Sequence, residues 1–125
     1  MFLIVTACGK ASQEGGESSA VIESLPPAEF EARISEGSLV LDVRTPEEFE
    51  TGFINGAINL DYKADGFEKG LDSLDKSKTY FVYCAGGGRS DKAAEIMKEK
   101  GFTSILTLEG GMNAWTAEGK PVKTE

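Results

Sequence analysis

Short, apolar, β-rich runs alternate with helical segments along this 125-residue chain, and that alternation restricts the fold more than any other feature. The runs are "SLVLDV" (Ser38–Val43), "GAINL" (Gly56–Leu60), "TYFVYC" (Thr79–Cys84) and "SILTL" (Ser104–Leu108). Helical patterns flank them. "LPPAEFEARISEG" carries Leu25, Phe30 and Ile34 at helical spacing, two prolines at its start and Gly37 just past its end. "TPEEFETG" opens with a Thr cap and a first-position Pro, and closes on Gly52. "ADGFEKGLDSLD" reads as a weak helix and loop. "SDKAAEIMKEKGF" reads as a helix with Ser90 as its cap and Gly101 as its stop, and "GMNAWTAEG" as a short last helix. Such alternation predicts one α/β domain, a parallel sheet with helices on both faces. Sites in open parallel sheets form at the carboxyl ends of strands. That rule singles out Asp42–Arg44, Cys84–Arg89 and Glu109–Gly111.

The globular pattern spans residues 21–125 and is preceded by residues 1–20, an apolar stub and a small, polar, linker-like stretch. "MFLIVTAC" is too short to span a bilayer. "VTAC" (Val5–Cys8) resembles the lipobox of bacterial lipoprotein signal peptides. The resemblance implies a lipid on Cys8 and a place on the bacterial cell envelope, although the basic region and most of the apolar region of such a peptide are absent. Without that lipid the expected location is the cytoplasm.

Composition excludes several chemistries. The net charge is -8, which argues against nucleic acid and against docking on anionic lipid. There is no histidine, so Ser-His-Asp and Cys-His catalysis and every His-ligated metal site are ruled out. No metal and no organic cofactor are expected. Cys8 and Cys84 sit in unlike contexts and do not suggest a disulfide framework.

Cys84 ends a buried run, and Ala85, Gly86, Gly87, Gly88, Arg89 and Ser90 follow it into a helix. Glycines let backbone N–H groups converge on one point, and a helix start adds partial positive charge. Such a loop is an anion cradle. A helix N-terminus or a neighbouring cation lowers a cysteine pKa from about 8.5 into the range of roughly 3.5–7.5. Arg89 is the candidate cation, so dipoles and a guanidinium stand in for the missing imidazole. Taken alone, a strand-terminal cysteine is more often a small buried hydrophobe. A cation at a helix start opposes the helix dipole, which suggests that Arg89 answers to an anion.

Three stretches together resemble the rhodanese (sulfurtransferase) family: "CAGGGRS", "LDVRTPEEFETGFINGAINL" (Leu41–Leu60) and "LEGGMNAW" (Leu108–Trp115). The resemblance covers about Val21 to Val122, with one departure at Phe53, where the family commonly has histidine. It implies that Cys84 attacks the outer sulfur of a donor such as thiosulfate. The resulting persulfide passes its sulfur to cyanide, a thiol or a protein. The N–H groups from Ala85 to Ser90 would hold the extra sulfur, and Arg89 would brace the loop and attract an anionic donor. Asp42 and Arg44 would support the site, Asp42 bonding loop amides and Arg44 pairing with Glu47 or Glu48. Gly110 and Gly111 would turn the chain into the last helix, and Met112, Trp115, Phe81 and Tyr83 would be core or site wall.

The rival readings are a sulfur-carrying or redox-sensing module without turnover, and a phosphatase or arsenate reductase. Related phosphatases carry C-x5-R, whereas Cys84 to Arg89 is C-x4-R, a tighter ring that suits one sulfur atom. Thiosulfate is a dianion and the chain is acidic, so a less charged persulfide or polysulfide donor is the expectation. Expected partners are that small donor and a thiol or redox protein. A monomer is expected, with membrane contact only through Cys8.

Overall fold

Runs of branched and aromatic residues become central strands where helices cover both of their faces. The computed structural model describes residues 20–35 and 38–124. Cys8 and the rest of the stub, and Gly37, lie outside the described residues. Among the described residues no helix is long and apolar enough to cross a membrane.

The elements run β1 (Val21–Leu25), α1 (Pro27–Arg33), β2 (Leu39–Asp42), α2 (Pro46–Glu50), β3 (Ala57–Asn59), α3 (Phe67–Asp72), β4 (Thr79–Tyr83), α4 (Gly88–Glu99), β5 (Ser104–Leu108) and α5 (Gly111–Ala117). The sheet order is β1-β5-β4-β2-β3, and every pair is parallel. The expected α/β class and parallel sheet are therefore present. β1 is the strand that the sequence pattern did not reveal. "VIESL" is an edge strand bonded only to β5, and four of its five residues are exposed or half-buried, so no apolar run marks it. Leu25, expected on the first helix, instead ends β1 and enters the core.

Alternation along the strands splits the core in two. Leu41, Tyr80, Val82 and Ile105 face α3 and α4 through Phe67, Leu71, Ala93, Ala94 and Met97. Val40, Phe81, Tyr83, Leu106 and Leu108 face α1 and α5 through Phe30, Met112 and Trp115. Phe30 meets Phe81 and Trp115 edge-on, with ring centroids 5.4 and 6.3 Å apart. Helices thus cover both faces, and the loops that follow β2, β4 and β5 gather at one end of the sheet.

Candidate active site

The loop after β4 is where the chain leaves the sheet and starts α4. Cys84 is 1% exposed and packs with Val82, Ala93 and Ala94 at the rim of one core. Its Sγ accepts a hydrogen bond from the Gly87 N–H at 2.9 Å. Gly87 has φ +111°, a left-handed value that lets the chain double back towards the sulfur. The Cys84 thiol also faces Ser90 Oγ at 3.5 Å, and that hydroxyl donates to the Gly87 carbonyl at 3.0 Å.

Helix α4 starts at Gly88 with Gly87 as its cap, three residues earlier than the expected cap at Ser90. Ser90 is therefore not the cap. It lies buried in the first turn, where its hydroxyl braces the loop from inside. Gly88, Arg89 and Ser90 open the helix, and the N–H groups of a first turn have no carbonyl one turn back to bond. Of the loop amides, the Gly87 N–H is the one bonded to the sulfur, and the start of α4 that follows it carries the partial positive charge of a helix N-terminus.

Helix α5 holds this loop from behind. The Met112 N–H donates to the Cys84 carbonyl at 2.8 Å, and the Asn113 N–H to the Ala85 carbonyl at 2.9 Å. Gly110 and Gly111 make the expected turn, and Gly111 does more. A Cβ placed there, at φ +60°, would sit 2.5 Å from both the Cys84 and the Ala85 carbonyl oxygens. Gly111→Ala is expected to lower the unfolding free energy by about 2–4 kcal/mol, through left-handed strain and displacement of the loop. Urea denaturation measures this, and an unchanged midpoint would contradict the close approach of α5.

Asp42 and Arg44 form a buried unit beside the loop. Asp42 Oδ1 accepts from the Arg44 backbone N–H at 2.9 Å, so it does bond a loop amide. The same carboxylate takes the Arg44 guanidinium, with Nη2 2.6 Å from Oδ2. Nη2 also donates to the Gly52 carbonyl at 2.7 Å, and the guanidinium carbon lies 5.7 Å from the Tyr83 ring centre. Burial opposes the Arg44 charge, and Asp42 more than offsets it, so the pKa stays raised. Burial, with Asp42 nearby, pushes the Tyr83 phenol up, and its oxygen accepts the Ile54 N–H at 3.0 Å.

Arg44 therefore does not pair with Glu47 or Glu48. Its short path inward to Asp42 wins, and Glu48 is left for Arg89. Arg89 Nη1 donates to Glu48 Oε1 at 2.7 Å, and Nη2 to Oε2 at 3.0 Å. The guanidinium expected to draw in an anionic donor already holds a carboxylate. Arg89 at hydrogen-bonding distance lowers the Glu48 pKa to about 2, so the pair is ionised at neutral pH. Any stability it adds is complete above the ordinary glutamate range and is lost as pH falls towards about 2.

Glu48 is the site residue to which sequence reasoning gave the wrong partner, Arg44 in place of Arg89. Its Oε1 also accepts from the Thr45 N–H and Oγ1, both at 3.1 Å, which completes a capping box at the start of α2. The Thr-x-x-Glu spacing was visible in "TPEE", but a partner 41 residues away was not. Phe53, in the position of the family's usual histidine, is buried and stacks on Phe49 at 4.2 Å.

The family model of the rhodanese-like domain matches residues 26–118. A chloroplastic thiosulfate sulfurtransferase of Arabidopsis thaliana is 38% identical over 67 residues, 48% of this chain and 56% of that protein. The chain spans about half the length of the curated relatives it matches. Among solved structures, a rhodanese-related protein of Thermoplasma volcanium aligns with TM-score 0.74 and 35% identity, over 82% of this chain and 99% of that one. A rhodanese-like domain protein of Staphylococcus aureus aligns with TM-score 0.70 and 32% identity, over 82% and 98% of the two chains. Three ordered motifs, a parallel five-stranded sheet and a cysteine loop braced by the last helix agree with these matches, and the chain belongs to the rhodanese-like domain family.

Proposed function

We propose that this protein is a sulfurtransferase in which Cys84 carries the sulfur as a persulfide. The observation that carries the reading is the Gly87 N–H on Cys84 Sγ at 2.9 Å, donated by the residue that caps α4. The Cys84 thiolate attacks the outer sulfur of the donor. A new S–S bond forms, the donor's own S–S bond breaks, and its electron pair leaves with sulfite or a thiolate. An acceptor nucleophile then attacks the outer sulfur of the persulfide and releases the Cys84 thiolate. Electrons balance without an outside oxidant. Loop N–H groups stabilise the negative charge on the terminal sulfur, as an oxyanion hole does for oxygen. The four-residue spacing from Cys84 to Arg89 supports one added atom rather than a tetrahedral phosphate.

Mass spectrometry after incubation with a sulfur donor tests this. The Cys84 peptide is expected to gain about 32 Da, one sulfur atom, and to lose it on adding cyanide. A free Cys84 thiol after exposure to both thiosulfate and an alkyl persulfide would overturn the reading.

A further inference from the structure

The loop cation is already engaged. Both terminal nitrogens of Arg89 bind the two oxygens of Glu48, at 2.7 and 3.0 Å. This fork-to-fork pairing is the strong form of a guanidinium–carboxylate contact. The Glu48 side chain remains 36% exposed and that of Arg89 21%, so the pair sits at the surface of the loop, where a donor arrives. Glu48 cannot swing away freely, because Oε1 is also held by the Thr45 N–H and Oγ1. Asp61 places a second carboxylate within electrostatic reach of the same guanidinium. The other arginine of this region, Arg44, is buried on Asp42. The charge at the mouth of the loop is thus cancelled by Glu48, in a protein of net charge -8.

We propose that Glu48 is a specificity-determining residue which, acting through Arg89, selects against dianionic sulfur donors such as thiosulfate and in favour of alkyl persulfides. The inference rests on the sulfurtransferase reading and names the donor class for it. An alkyl persulfide, RS–SH, carries at most one negative charge. The transfer balances as Cys84–S⁻ plus RS–SH giving Cys84–S–SH plus RS⁻. The S–S bond of the donor breaks, and its electron pair leaves on the thiolate.

The test compares kcat/KM for thiosulfate and for an alkyl persulfide in wild type, Glu48→Gln and Glu48→Asp. Glutamine keeps an acceptor for the capping box and for one Arg89 nitrogen, and removes the charge. The thiosulfate-to-persulfide ratio is expected to rise about fivefold or more in Glu48→Gln. Glu48→Asp keeps the charge, and its ratio should stay within about twofold of wild type. In wild type, the thiosulfate rate should rise with salt as repulsion is screened, and the rise should be weaker in Glu48→Gln. A ratio unchanged in a Glu48→Gln protein that keeps the wild-type melting temperature, or a wild-type thiosulfate rate that falls with salt, would overturn the proposal even though Cys84 takes up sulfur. A lack of sulfur on Cys84 from either donor would remove both this proposal and the sulfurtransferase reading. A loss of structure in Glu48→Gln shows as equal loss with both donors, and the wild-type salt dependence then decides.

Discussion

Cys84→Ser is expected to abolish sulfur transfer, by at least about a thousandfold, while leaving the fold intact. Serine is close in size, and its hydroxyl can accept the Gly87 N–H that now reaches the Cys84 sulfur at 2.9 Å. The neighbours of the side chain, Val82, Ala93 and Ala94, keep their packing. A hydroxyl cannot form a persulfide, and no histidine exists to activate it. Donor-to-cyanide transfer and melting temperature, measured together, make the check. The melting temperature should shift by no more than about 5 °C, equivalent to roughly 1 kcal/mol in a domain of this size. Peptide mapping matters here, because Cys8 is a second thiol. Sulfur found on a Cys8 peptide leaves the prediction standing, whereas normal turnover in Cys84→Ser would end the assignment of Cys84 as the carrier.

Asp42→Ala should give the largest loss of stability, about 3–5 kcal/mol. Asp42 is fully buried and Arg44 is 4% exposed. Removing the carboxylate strands a guanidinium that keeps only the Gly52 carbonyl and the face of Tyr83. An uncompensated buried charge is far worse than the absence of both partners. Stability of a domain this size is on the order of 5–15 kcal/mol, so the loss is a large fraction of it. At about 4–8 °C per kcal/mol, the melting temperature should drop by at least about 12 °C. A drop under about 3 °C would show that water or another acceptor takes over from Asp42. Activity per folded molecule should fall less than stability, because neither Asp42 nor Arg44 touches Cys84 Sγ.

Much of this was legible in the sequence, and the parts that were not share a cause. Central strands announce themselves by continuous apolar runs, so β2, β4 and β5 were readable from "LVLD", "TYFVY" and "SILTL". The edge strand β1 has water on one flank and needs no such run, so the sequence pattern gives "VIES" no element and places Leu25 with the helix that follows. Cys84 and its glycines were readable because their chemistry is local: a thiol, small residues and a helix start within seven positions. Ser90 was misread because a triglycine lets the helix begin before the usual cap, with Gly87 in the left-handed region. Charge pairing was the least legible feature. Arg44 lies near Glu47 and Glu48 in sequence, yet the strand end points its side chain inward to Asp42. Glu48 then meets Arg89 only because the loops after β2 and β4, adjacent parallel strands, share one end of the sheet.

The backbone bonds from α5 to the cysteine loop have a wider consequence. A peptide unit has two polar ends, and this loop uses them for different tasks. At Cys84 and Ala85 the carbonyl ends are moored outward, to the amides of Met112 and Asn113. At Gly87 the amide end is turned inward, onto the sulfur. The orientation of the amide that faces the sulfur is thus linked, through the two peptide units before it, to anchors in a different helix, one whose own seat is the packing of Met112 and Trp115 against the sheet. Distance from the sulfur is consequently a poor guide to influence on it. A substitution under α5 that loosens its seating is expected to shift the two peptide units that precede the one whose N–H faces the thiol, and so to move that N–H from a helix away.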